Sequence, residues 1–216
     1  MAVQIILETV IMLLAVCGMV IHSGWTKGET RRDFFRYYTN LSNLLVAMFF
    51  LIRLVVRITG NYDGFFGRIV FKELWFFSVT MAIFLTFGIF HFVLVPALKK
   101  EQEAGSEFAW LNSFPNYCVH YIVPLLSLLD WFLFAERAQL SYSWALIWTV
   151  IPLAYVAFAF IRASDGVPIE NTTSAYPYDF MDPSHHGWKR VIINCVLVFL
   201  VFCSAGFVLL FINKLF

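Results

Sequence analysis

The stretch WKRVIINCVLVFLVFCSAGFVLLFI (Trp188–Ile212) carries the pair Lys189 and Arg190 at its start and then no further charge to its end. A helix needs about 20 mostly apolar residues to cross the hydrocarbon core of a bilayer, and this stretch meets that requirement. Outward from it, five more runs of the same kind appear: Val3–His22, Tyr38–Arg57, Ile69–Leu98, Asn116–Phe134 and Ser141–Ile161. The whole chain agrees with the segments. It is 61% apolar and only 13% charged, with a mean hydropathy of +0.77, so it has too few charges to cover a water-soluble surface. The pattern predicts an all-α polytopic integral membrane protein with six transmembrane helices in one bundle. Because the intervening loops are short, residues 1–216 are expected to form a single domain.

The net charge of +1 excludes nucleic acid as a partner, since no basic stripe is present for phosphates to bind. Cys17, Cys118, Cys195 and Cys203 fall inside or at the edge of the spans, without metal-knuckle spacing, and imply no disulfide framework. No Lys or Arg precedes the first span and no small-residue cleavage pattern follows it, so it is expected to be a mature helix rather than a signal peptide. Aromatic residues near the span ends, among them Trp25, Tyr37, Tyr38, Tyr117 and Trp188, fit an interfacial belt.

Alternating spans place the loops Ser23–Tyr37, Lys99–Pro115 and Arg162–Gly187 on one side. Nine Lys or Arg residues lie there against five opposite, which by the positive-inside rule makes that side cytoplasmic. The glycosylation sequon Asn171-Thr172-Thr173, if modified in a secretory pathway, points the other way. Whichever orientation holds, Thr39 and His120 both lie in the first turns of spans that begin on this side. His91 lies about 10 Å below the end of the third span at a 1.5 Å rise per residue, and the Tyr176–Asp182 loop covers the same face.

An ionisable group inside a span costs ~2.5–3.5 kcal/mol at the helix centre on insertion scales, so each one is a functional candidate. Neutral imidazole at His120 can act as a general base, and the Thr39 hydroxyl lies at matching depth as a nucleophile. Backbone amides at the start of the second span, with Asn40 and Asn43, can hold an oxyanion. The alternatives for Thr39 and His120 are a helix cap and a carbonyl-bonded imidazole. His91 and His120 flank one loop and could instead ligate haem iron, although the hydrolytic chemistry requires neither metal nor cofactor. Arg31, Arg32 and Arg36 read as head-group anchors, and Arg32 and Arg36 could hold a substrate carboxylate. Tyr176, Pro177 and Tyr178 would form a lid loop. Asp130 lies some 15 Å beyond His120 and is expected to pair with Arg53, Arg57 or Arg137. Glu8 reads as a satisfied buried acid. No inverted repeat or interrupted helix pair supports a transporter reading of these acids.

Three stretches, FFRYYTNLSNLL (Phe34–Leu45), NYCVHYIVPLLSLLDW (Asn116–Trp131) and YPYDFMD (Tyr176–Asp182), occur in this order with spans between them. In these stretches the chain resembles the androgen-induced and androgen-dependent TFPI-regulating protein family, and within it the six-span bacterial members. The resemblance implies a membrane-embedded threonine hydrolase that cleaves fatty acid esters of hydroxy fatty acids. It also implies Thr39 and His120 as the essential pair, a lipid or fatty-acyl ester as substrate, and a bacterial inner membrane as the location.

Overall fold

The computed structural model describes residues 2–28, 31–103, 109–170 and 172–215. These residues fold as an all-α, multi-pass membrane protein. Six helices are long and apolar enough to cross a bilayer: α1 (Ala2–His22), α2 (Tyr38–Thr59), α3 (Glu73–Lys100), α4 (Phe114–Phe134), α5 (Trp144–Ala163) and α6 (Pro183–Leu215). Asn171 of the sequon lies outside the described residues.

Two boundaries depart from the expected ones for local reasons. The third span was expected from Ile69, but Phe65–Val70 is a separate short helix, and extended backbone at Lys72 then starts α3 at Glu73. A guanidinium N–H of Arg53 donates to Val70 O at 2.9 Å and satisfies the end of that short helix. The last helix begins at Pro183, earlier than Trp188, and is broken at Gly187, whose φ of 71° is outside the helical range.

Helices α1, α2, α3 and α4 pack around Ile11, Val46, Phe50, Phe77, Met81, Val119 and Trp131, all nearly inaccessible. In lipid, water drives no helix association, so close backbone approach matters. Gly18 of α1 supplies it: a Cβ there would lie 2.9 Å from both Cys118 Cβ and Val119 Cγ1 of α4. Gly88 of α3 does the same for α6, where a Cβ would meet Phe202 at 2.4 Å. The outer faces carry exposed Leu197, Val201, Val208 and Phe211, as lipid-facing helices do. Trp25, Tyr117 and Trp188 are exposed at span ends, whereas Tyr38, expected in the same belt, turns inward with its O–H donating to Ala82 O at 3.0 Å.

The charges buried within the spans gather away from Thr39. Glu8 takes Arg53 Nε at 3.0 Å and is also paired with Arg57, while the Arg53 guanidinium lies 4.7 Å from the Phe71 ring centroid and 4.6 Å from that of Phe76. Asp130 does not make the direct pair expected of it. Arg137 donates to Asn213 Oδ1 at 3.2 Å, both arginines serve Glu8, and the Asp130 carboxyl is fully buried without a hydrogen-bond partner among the described residues.

Candidate active site

Phe34–Arg36 makes one 3-10 turn, Tyr37 is extended, and α2 starts at Tyr38. Two tyrosines tie this start to neighbouring helices: Tyr38 reaches α3 as described, and Tyr155 of α5 donates to Arg36 O at 2.9 Å. Asn40 Nδ2 donates to Phe34 O at 2.6 Å and closes the preceding turn. Thr39 is therefore already inside the helix. It does not occupy the cap position, which Tyr37 takes without a side-chain cap bond. The Thr39 hydroxyl turns across to α4.

There it meets His120, with Oγ1 to Nε2 at 3.3 Å. His120 Nδ1 lies 3.1 Å from Asn116 O. A carbonyl oxygen can only accept, so Nδ1 carries the hydrogen and Nε2 presents its lone pair to the Thr39 hydroxyl. Both residues are buried. The geometry is that of a nucleophile and a base, with a backbone carbonyl orienting the base.

The turn bearing His120 is wide. Residues Cys118–Ile122 form a π-helical segment in which Val123 N–H reaches Cys118 O, and Pro124 follows. A proline has no N–H and clashes with the carbonyl four residues earlier, here that of His120, so the helix opens by one residue just before it. The same device recurs in α3. Phe90–Leu94 is π-helical, with Val95 N–H on Phe90 O and Pro96 next. The two wide turns face each other, and the Phe90 ring stacks on His120 with centroids 3.8 Å apart and planes 22° apart.

Phe90 thus occupies the place that the span arithmetic assigned to His91. His91 itself is exposed, its ring lies parallel to Phe87 at 5.6 Å, and its Nδ1 is 3.2 Å from Tyr121 Oη. It does not line the site. A haem held by His91 and His120 finds no support, because one face of His120 is covered by Phe90 and its Nε2 is engaged by Thr39. The imidazole near His120 is that of His22, with centroids 6.4 Å apart.

Asn43 acts as a clamp. Its amide donates to Thr39 O at 2.8 Å and to Val119 O at 3.0 Å, tying α2 to the wide turn of α4. Both of its hydrogens are therefore used, and the oxyanion role expected of Asn43 is not available to it. Asn40 spends one amide hydrogen on Phe34 O. Ser42 donates to Thr39 O at 3.0 Å and meets Thr86 Oγ1 at 2.7 Å.

Thr39 opens onto an apolar cavity between α3, α5 and α6. Tyr38, Thr39 and Tyr178 form its polar end, and Leu85, Ile89, Leu153, Val198 and Phe202 its walls. The 176–182 loop closes this end. Tyr178 is buried in it, whereas Tyr176 is half-buried against Phe160, with centroids 5.5 Å apart, and Pro177 is half-buried between them. Burial pushes the Tyr178 phenol up to about 12, so it stays protonated.

The loop is latched at both ends. Asp179 accepts from His185 Nδ1 at 2.9 Å and His186 Nε2 at 2.7 Å, and these bonds hold its carboxyl below the usual range. Asp182 is buried, which alone would raise its pKa, but bonds from Ser174 and Ser184 outweigh that and keep it low. On the other side, Glu170 N–H donates to Asp33 Oδ2 at 2.8 Å. Arg36 pairs with Asp33 at 2.7 Å and lies 3.3 Å from Val167 O, so it braces the loop and is not free to hold a substrate carboxylate. Arg32 is exposed, outside the cavity wall. Arg31 is likewise exposed and outside the cavity wall.

No protein-family model, curated protein or solved structure matches this chain.

Proposed function

We propose that the protein is a membrane-embedded lipid ester hydrolase in which Thr39 is the nucleophile and His120 the base. The observation that carries this reading is the buried Thr39 Oγ1 to His120 Nε2 approach of 3.3 Å at the polar end of an apolar cavity. His120 Nε2 takes the hydroxyl proton as Thr39 Oγ attacks the ester carbonyl. The tetrahedral intermediate collapses to an acyl-threonine, and the alcohol leaves with the proton from Nε2. Water activated by the same nitrogen then releases the fatty acid. The cavity suits a fatty-acyl chain. The resemblance of the Phe34–Leu45, Asn116–Trp131 and Tyr176–Asp182 stretches narrows the substrate to fatty acid esters of hydroxy fatty acids. The resemblance favours a bacterial inner membrane, and the charge balance of the loops favours a cytoplasmic Thr39 end. This chemistry requires neither metal nor cofactor.

The test is activity-based labelling of the purified protein with a fluorophosphonate, site mapping, and assay of the same ester substrates with Thr39→Ala and His120→Ala. Labelling at Thr39 and loss of turnover in both variants are expected. Folded variants that hydrolyse as fast as the parent chain refute the reading.

A further inference from the structure

Asn43 spends both amide hydrogens on backbone carbonyls, so the intermediate formed at Thr39 needs its donors from elsewhere. Tyr178 stands at the right place. Its ring packs among Tyr37, Tyr155 and Phe180, at 6.0, 6.4 and 5.7 Å between centroids, and it shares the polar end of the cavity with Thr39. Tyr178 is buried beside Tyr37, the residue that precedes the first turn of α2, and hydrogen bonding from the Thr39 side chain and the Tyr38 and Thr39 backbone partly offsets the rise that burial gives its phenol. The opening N–H groups of a helix have no partner within it. Those of Asn40 and Leu41 turn back to Tyr37 O at 3.2 and 3.3 Å.

We infer that Tyr178 is a catalytic residue of this site: its O–H, with the oxygen polarised by the first amides of α2, donates a hydrogen bond to the oxyanion of the tetrahedral intermediate. The inference rests on the hydrolase reading. As Thr39 Oγ bonds to the carbonyl carbon, the carbonyl π pair moves onto oxygen and the hydroxyl proton passes to His120 Nε2. Tyr178 keeps its own proton. When the pair returns, the ester C–O bond breaks and the leaving alkoxide takes the proton from Nε2. The positive end of the helix and the charge-assisted bond strengthen the donor where charge develops.

The experiment uses the full chain in lipid nanodiscs with a long-chain p-nitrophenyl ester and a fluorophosphonate probe. Tyr178→Phe keeps the ring and removes only the donor. It is expected to lower kcat on the order of 10²-fold, with KM within about twofold, and to slow labelling of Thr39 in parallel. A Tyr178→Phe enzyme with unchanged kcat, beside an inactive Thr39→Ala, overturns the role of Tyr178 and leaves the hydrolase reading standing. A parent chain with neither turnover nor labelling overturns the hydrolase reading itself. Should Tyr178→Phe fail to fold, difluorotyrosine at position 178 replaces it. The alkaline limb of kcat must then move to lower pH, and an unmoved limb refutes the proposal.

Discussion

Replacing Asn43 by alanine probes the clamp that holds Thr39 and His120 together across two helices. The substitution deletes one donor to Thr39 O and one to Val119 O. Thr39 O keeps its bond from Ser42, so it loses little. Val119 O lies in the wide turn of α4 and loses its cross-helix donor, which for a buried acceptor costs about 1–3 kcal/mol. Together with the other bond, itself about 1 kcal/mol, a loss of about 2–4 kcal/mol of stability follows. The larger effect is geometric. Without the clamp α2 and α4 can slide, and a misplacement of about 1 Å costs on the order of 10²-fold in rate. The assay pairs thermal unfolding in detergent with ester hydrolysis, and uses Ser42→Ala as the control, because Ser42 bonds Thr39 O without reaching α4. The reasoning fails if Asn43→Ala loses no more activity than Ser42→Ala.

Glu8→Gln leaves Arg53 and Arg57 buried without a counter-charge, and should cost about 3–5 kcal/mol in thermal or denaturant unfolding, with the Thr39 site unaffected at temperatures where the bundle is intact. Gly88→Val forces α3 and α6 apart at Phe202 and should reduce unfolding temperature and acyl-chain binding together, as read by a fluorescent fatty acid. The carboxyl of Asp179 is held low in the folded protein, so its contribution to the loop latch is present above the ordinary carboxylate pKa of about 3.9 and is lost as pH falls through its lower folded value. The protection of residues 174–182 against hydrogen exchange should therefore fall in acid below about pH 4. Asp179→Asn should weaken that acid dependence and leave the share carried by Asp182. Cys195 lines the cavity, so a membrane-permeant maleimide should modify it slowly, and a bound long-chain fatty acid should protect it.

The six spans and the end at which Thr39 and His120 meet were legible because length, hydropathy and alternation are properties of whole segments. The details that decide the site were not. An ideal 3.6-residue turn puts His91 and Phe90 100° apart on the helix, and the π-helical segment re-aims both, so that Phe90 and not His91 meets His120. The signal was present in the Val-Pro pairs that follow each wide turn, at 95–96 and 123–124. Asn43 was legible as a polar residue on the face of Thr39, but only the approach of α4 shows that its hydrogens are taken. Arg36 looked like a free cation because Asp33 beside it in sequence could not be oriented. Asp130 went the other way: its helix was read correctly, while the competition of Glu8 for both arginines depends on the packing of α1.

The group that orients His120 is the carbonyl of Asn116, which has no formal charge. In the proposed reaction the imidazolium and the oxyanion therefore appear in the same event and disappear in the same event, a transient ion pair made and discharged inside the protein. The site begins, passes through and ends each half-reaction electrically neutral. A resident carboxylate would leave a net negative site whenever the base is neutral, a state that the surrounding lipid penalises between every turnover. Omitting it gives up some strength in the base and lets an ester-cleaving centre rest uncharged within the membrane.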